Sequence, residues 1–454
     1  MLMTKIIPGA LAGLLALACA AGLSPAARAQ DLTHKAPPQK GVLVLTNAQV
    51  HTVSRGVIED GYVLIRDGRI EGVGPMRDLP APATSAAPRA EIDCAGLRVY
   101  PGLIAPSTTI GLAEVSSVRA TLDTTEAGAM TPEVRACVAV NPDSWHFPVA
   151  RSNGVLTFGV MPSGGSIPGR ASVMTADGWT WRDMTVLDDA GLRIDWPNVR
   201  PISARWMNQS EEEQQKRSRE AIEAIDEMFD RAQAYFAARD ADPSTPVSVR
   251  FEAMSPALRG ERPVIISAQE LDQIRSAVSW AVGRGLRPVI LGGRDAHLCA
   301  DLLQRHDVGV IITGTLRMPR RSDSPYDEAF TLPAALEAAG VRWCLANNGG
   351  SSMERNLPYH AAMAVAYGLD HDAALRAITL SAAELLGVGD ELGSVEPGKR
   401  ATLIVTDGDP MEVATAVRRA FIDGREIDLS NKQTDLAEKY REKYRQLGLT
   451  PRKD

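Results

Sequence analysis

The residues best suited to chemistry in this chain are thinly spread. There are seven histidines: His34, His51, His146, His297, His306, His360 and His371. No pair of them has HxH or HExxH spacing, so no local histidine metal site can be read from them. Glu114, Arg119, Asp123 and Glu126 lie in a charged, Thr-rich stretch suited to contacting a polar ligand. Gly164-Gly165-Ser166 and Gly349-Gly350-Ser351-Ser352 read as turns rather than phosphate cradles. There is no G-x-S-x-G elbow, Walker sequence or dinucleotide fingerprint. Cys94, Cys137, Cys299 and Cys344 are widely spaced with no CxxC, which predicts four separate buried thiols rather than a zinc cluster; pairing stays open for an exported chain.

The elements that must position these residues follow from the hydrophobic pattern. The chain has 454 residues, 44% hydrophobic and 23% charged, with a net charge of −7. This balance suits a soluble globular protein and argues against nucleic acid as a partner. Lys5, the apolar run Ile6–Leu23 and Ala27-Arg28-Ala29 predict a signal peptide over residues 1–29, and a periplasmic or secreted protein with no membrane association after cleavage. Cys19 leaves a lipoprotein route open. Residues 30–40, with Pro37 and Pro38, predict a linker.

From Gly41 short strands follow: Val42–Leu45, Val50–Val53 and Gly61–Arg66, then an Asp67-Gly68 hairpin turn into Arg69–Val73. Beyond Pro101 the rhythm becomes strand then helix. Strands are expected at Val155–Val160, Pro263–Ile266, Pro288–Leu291, Val308–Ile312 and Val341–Leu345. Helices are expected after Leu271, over Asp295–Gln304 and over Leu332–Ala339. Repeated units of this kind predict a parallel sheet with crossover helices, its strands apolar because both faces are covered. Ser210 with Glu213 forms a capping box for a long amphipathic helix carrying Ile222, Ile225, Phe229, Ala232 and Phe236. It reads as an insertion outside the core at about 210–240, offering either a partner surface or packing on its own domain. A strand is expected at Val417–Ile422, and a charged terminal helix at 432–446.

Three ordered segments resemble the amidohydrolase superfamily, especially its imidazolonepropionase-like branch. They are Ile65-Arg66-Asp67-Gly68-Arg69-Ile70 with Val73-Gly74-Pro75; Pro101-Gly102-Leu103-Ile104; and Arg355-Asn356-Leu357-Pro358 through Gly368-Leu369, the helix Ala373–Leu386, and the GSVEPGKRATLIV stretch from Gly393. The resemblance implies an α/β fold: a (β/α)8 TIM-type barrel over 101–392, with its site at the C-terminal strand ends. It also implies a composite β-sandwich from 41–100 and 393–427, leaving 428–454 as a C-terminal helix. Family members hydrolyse C–N bonds in amides, cyclic amides or dipeptides, using one or two divalent metals such as zinc to activate water.

The resemblance also implies a ligand set: two His after strand 1, a carboxylated Lys or Glu after strand 4, His after strands 5 and 6, and Asp after strand 8. This chain has Ser107 and Thr109 at the first two positions and Ser267 at the strand 5 position. Strand 6 ends in Gly292-Gly293, and Asn347 and Asn348 take the place of the Asp. The only lysine between Gly41 and Gly398 is Lys216, on the charged helix. Hydroxyls and amides are poor zinc ligands beside imidazole.

The leading expectation is thus a barrel with an eroded metal site and no cofactor: a non-catalytic or weakly active binder of a small polar ligand. Its ligand contacts would come from Glu114, Arg119, His146 and Glu252. The alternative is an active C–N hydrolase with a shifted ligand set such as His146, Glu252 or His297, or a metal-free acid–base pair. A third reading makes the 210–240 helix an assembly surface, and a homo-oligomer is a further expectation.

Overall fold

The computed structural model describes residues 31, 33–81, 88–202, 208–347 and 350–449. The signal-peptide expectation, including Cys19, falls outside these residues. The chain first lays down β1 (Val42–His51), β2 (Val57–Arg66), β3 (Arg69–Pro75), β4 (Arg89–Asp93) and β5 (Arg98–Pro101). The two strands expected over 42–53 are one strand, with register shifts near Ala48 and Asn47 at φ 55°. Such bulges let a strand bend without ending. Asp67 and Gly68, both at positive φ, make the expected hairpin turn between β2 and β3.

The barrel follows as β6 (Leu103–Thr108), β7 (Val155–Val160), β8 (Gly169–Thr175), β9 (Thr185–Asp195), β10 (Val264–Ala268), β11 (Pro288–Gly292), β12 (Gly309–Thr313) and β13 (Trp343–Ala346). These strands are neighbours in chain order, and β13 lies back against β6, so the sheet is nearly closed. One strand departs from the expected parallel sheet: β8 runs antiparallel to both β7 and β9. Only eight residues separate the ends of β7 and β8, too few for the crossover that a parallel pair requires, so the chain must turn back as a hairpin.

The strands are buried on both faces. Ile104, Val173, Ile265, Leu291, Ile311 and Cys344 fill the interior. Phe158, Ile194, Ile266, Ile290 and Val310 face the helices. The expected helix Ala373–Leu386 is split into His371–Ala377 and Leu380–Leu385. Ala382, Ala383, Leu385 and Leu386 join the interior cluster from the second half and its end.

The helix Glu211–Ala241 is capped as expected, Glu213 N–H donating to Ser210 Oγ at 3.2 Å. It is not an insertion. It forms part of the crossover that parallel β9 and β10 require. Ile225, Met228, Phe229 and Ala232 are buried, and the Phe229 ring meets Trp280 edge-on at 5.1 Å. Its apolar side is therefore spent on its own barrel, which removes the motive for an assembly surface there.

After the barrel, β14 (Leu403–Thr406), β15 (Val417–Ile422) and β16 (Arg425–Glu426) complete the first sheet in the order β16-β15-β14-β5-β1-β2-β3, with β4 on β1. Both flanks of the barrel thus build one curled sheet. Ile70 N–H donates to Lys399 O at 2.9 Å, bringing β3 to the returning chain and enclosing Leu45, Ile65, Val99, Leu403 and Phe421.

The 31–40 stretch is pinned rather than a free linker. Arg151, fully buried, reaches Asp31 at 2.9 Å and Asp177 at 3.4 Å. Lys35 meets the same two carboxylates at 2.8 and 3.0 Å, and Arg425 meets Asp177 at 3.1 Å. The helix Lys432–Gln446 matches its expected bounds and buries no residue. The four cysteines are free and buried.

A close approach sets the end of β6. Its pairing with β7 shifts between Ala105 and Thr108, pressing the Pro106 carbonyl onto Gly159. A Cβ at Gly159 would lie 2.2 Å from that oxygen. Gly159→Ala is expected to cost on the order of 1–3 kcal/mol through this overlap. Urea unfolding checks it, and a wild-type midpoint would refute the strain.

Candidate functional site

The C-terminal strand ends gather polar side chains whose partners can be traced. From β6, Thr108 is buried and donates to Glu354 Oε1 at 2.6 Å. Ile110 N–H donates back to the Thr108 hydroxyl at 3.1 Å. Thr109 and Ser107 are half-buried, and Thr109 Oγ1 lies 3.2 Å from Ser351 Oγ. Glu354 and Ser351 sit in the turn Ser351–Asn356 that follows β13.

Glu354 is 1% exposed. Burial pushes its carboxyl up to about 8, against the opposing hydrogen bonds from Thr108 and Asn347. A buried carboxylate lacks the water that stabilises its charge, and two donors do not replace it.

His360, on the helix Leu357–Ala366, ties the ends of β12 and β13 together. Its Nδ1 accepts from Thr315 N–H at 3.0 Å and Leu316 N–H at 3.1 Å. The ring proton is therefore on Nε2, which donates to Asn347 Oδ1 at 3.0 Å. Burial pushes this imidazole down to about 4. Neither nitrogen is left with a lone pair to offer.

On β9, Arg193 and Asp195 face the barrel interior. Arg193 pairs in register with the interior residue Ile265, and Asp195 pairs with Ser267. Arg193 Nη2 donates to Asp195 Oδ1 at 2.7 Å. Burial, opposed by Arg193, raises the Asp195 carboxyl above its usual range. Ser267 itself is half-buried. On β11, Gly292 stands at φ 111°, and a Cβ there would lie 2.0 Å from the Gln269 amide nitrogen. The Gln269 amide occupies that space, and the positive φ would strain any larger residue here.

The other expected contacts lie elsewhere. Glu114 accepts from Ser144 Oγ at 2.9 Å and Asn141 Nδ2 at 3.3 Å, while its carbonyl accepts from His146 Nε2 at 2.9 Å. The structure thus joins Glu114 to His146, but on the helix His146–Arg151 that packs outside the sheet. Arg119 and His297 are exposed. Glu252 accepts from Tyr235 Oη at 2.7 Å and from Arg239, against the crossover helix. His146, Glu252 and His297 therefore do not converge, and the shifted ligand set is not formed. Among the described residues no group of three His, Cys, Asp or Glu side chains is arranged to hold a metal ion. Asn348 lies outside the described residues.

Thr108, Arg193, Asp195, Glu354 and His360 were not expected at the mouth. For the β9 pair a signal exists: Leu192-Arg193-Ile194-Asp195 alternates as a strand does. Glu354 carries no local signal.

The Amidohydrolase family profile matches residues 286–427. An imidazolonepropionase of Sphingopyxis alaskensis is 25% identical over 404 residues, covering 81% of this chain and 92% of that protein. Amidohydrolase tasK of Hapsidospora irregularis is 25% identical over 399 residues, covering 80% of this chain; the match spans only 39% of that longer protein. Among solved structures, an amidohydrolase from Thermotoga maritima superposes with a TM-score of 0.73 at 24% identity, covering 85% of this chain and 99% of that one. With the nearly closed eight-stranded barrel and the composite sheet, these likenesses assign the chain to the amidohydrolase superfamily, on its imidazolonepropionase-like branch.

Proposed function

We propose that this chain uses the barrel mouth to bind a small polar ligand and does not retain the metal chemistry of its superfamily. The observation that carries the reading is the type and commitment of the mouth's side chains. Ser107, Thr109 and Ser267 are neutral hydroxyls, and Asn347 is an amide. His360 has both nitrogens engaged. Glu354 is buried with a carboxyl that favours its neutral form near pH 7. The remaining acid, Asp195, is paired with the buried cation Arg193. A fixed guanidinium inside the mouth repels a divalent ion, so these donors do not fit one.

Elemental analysis after dialysis, with turnover assays on N-acyl and dipeptide substrates, tests this. Sub-stoichiometric metal and no turnover are expected. Stoichiometric zinc or manganese together with turnover would overturn the reading.

A second reading, hydrolysis of C–N bonds without metal, is favoured by the relatives' names and by Glu354, whose raised pKa suits proton exchange near neutrality. It requires turnover by metal-stripped protein that is lost in Glu354→Gln.

We place the protein outside the cytoplasm, on the pattern of Lys5, Ile6–Leu23 and Ala27-Arg28-Ala29. Among the described residues no helix is long and apolar enough to cross a membrane. N-terminal sequencing of the exported protein is expected to begin at Gln30.

A further inference from the structure

The end of the barrel opposite the mouth, where the parallel strands begin, holds a cleft of about 250 Å³. Its floor is apolar: Ala190, Val289 and Leu385 belong to the barrel's interior cluster. Its walls are charged, and the charges do not cancel. Each acid that lines it is already paired. Glu261 meets Arg259 at 3.2 Å, Asp307 meets Arg342 at 2.6 Å, and Glu384 meets Arg376 at 2.8 Å. Two further arginines of the lining, Arg262 and Arg287, have no carboxylate partner among the described residues. Arg287 donates Nη1 to the Gly260 carbonyl at 3.0 Å. The Arg262 guanidinium makes no hydrogen bond or ion pair among the described residues. The cleft therefore keeps two uncompensated cations in a chain of net charge −7. Sheet register brings them together. β10 and β11 pair in parallel with Val264 against Pro288, and Val264 N–H donates to Arg287 O at 2.9 Å. Arg262 and Arg287 thus stand just before the starts of two adjacent strands. Arg262 is half-buried, and a Cβ at Gly387 would lie 3.6 Å from its Nη1, so its head group stands over the chain that leaves the helix Leu380–Leu385. Arg342, before β13, gives Nε and Nη2 to Asp307 and keeps Nη1 for another acceptor.

We propose that this cleft binds a phosphate group, either as the free ion or as the head of a small ester. A phosphate monoester carries nearly two negative charges at neutral pH and three strong acceptor oxygens. That charge matches the two uncompensated arginines, and a monocarboxylate would cancel only one of them. Arg262, Arg287 and Arg342 come from the starts of three different strands, so the occupant needs acceptors on more than one side, as a tetrahedral oxyanion has. The apolar floor offers a surface that the organic part of an ester would cover. The site lies at the far end of the barrel from the mouth and does not depend on the reading proposed there. No bond is made or broken.

Calorimetry and thermal unfolding of the full chain test this with inorganic phosphate, phenyl phosphate, succinate and benzoate, all at matched ionic strength. The two phosphates are expected to bind at one site with a Kd below about 1 mM and to raise the unfolding temperature, as any ligand of the native state does. The tighter of the two tells an ester from the free ion. Succinate and benzoate should bind about tenfold more weakly. Arg262→Ala should lower phosphate affinity roughly tenfold, the scale of one hydrogen bond to a charged group. Its unfolding temperature without ligand should match wild type, because Arg262 has no partner to leave orphaned. Arg287→Ala should weaken phosphate by a similar factor. Arg119→Ala removes an exposed arginine elsewhere and should leave binding unchanged. Wild-type phosphate affinity in both Arg262→Ala and Arg287→Ala, or an equal loss in Arg119→Ala, overturns the site. Tighter binding of succinate overturns the choice of anion. No saturable phosphate binding below about 1 mM overturns the proposal and leaves the reading of the mouth standing.

Discussion

Glu354→Gln is expected to remove most of a fall in stability that the wild-type protein shows between about pH 6.5 and pH 8. Glu354 has its folded-state pKa raised from 4.5 to about 8. Between those values the folded chain holds a proton that the unfolded chain has released, so stability falls as pH rises. His360 works in the opposite sense, its folded pKa being lowered from 6.5 to about 4. Between those values the unfolded chain holds the extra proton, and stability rises with pH. The two slopes, each roughly 1.4 kcal/mol per pH unit, oppose one another from about 4.5 to 6.5. Above 6.5 the His360 slope ends and the Glu354 slope gives a loss on the order of 2 kcal/mol by pH 8, to which His371, its pKa raised against burial by Asp409 and Asp372, adds in the same sense. Glutamine keeps the shape and cannot titrate. Urea midpoints measured across this range should decline steeply for wild type and much less for the variant, which keeps only the His371 contribution. Parallel profiles would mean that Glu354 does not sit as a neutral acid beside Thr108.

The second large effect concerns Arg151, far from the mouth. Arg151→Met is expected to destabilise the fold by about 3–5 kcal/mol, because removing one partner leaves buried carboxylates uncompensated. Asp31 and Asp177 are 4% and 3% exposed. Burial alone would raise the Asp31 carboxyl, but Arg151 and Lys35 outweigh it and hold it below its usual range. Adding Asp31→Asn should recover part of the loss by removing one orphaned charge. The same variant should make the 31–40 segment sensitive to proteases, since Arg151 is its main anchor. A loss below about 1 kcal/mol, the range of a surface pair, would show that the network is solvated.

Much of the architecture was legible in the chain because its signals are local. Alternation in Gly61–Arg66, the Asp67-Gly68 turn and the apolar runs at Val155–Val160 and Pro288–Leu291 each lie within a few residues. The Ser210/Glu213 cap and the charged 432–446 helix are local too. That hydroxyls stand at Ser107, Thr109 and Ser267 and an amide at Asn347 was also readable.

Closure of the barrel decided the rest. Polar residues at 31–40 look like a solvated linker until Arg151, Asp177 and Arg425 arrive from distant positions. The long helix looks like an insertion until β9 and β10 are known to pair in parallel. Glu354 becomes a neutral acid only when Thr108, 246 positions away, folds over it. Arg193 turns inward because its register with Ile265 sets its side of the sheet. Hydrophobic period and turn chemistry act between near neighbours, so a sequence displays them directly. Burial, register and charge pairing act between residues that meet only after the sheet closes, and only the tertiary structure could assign them.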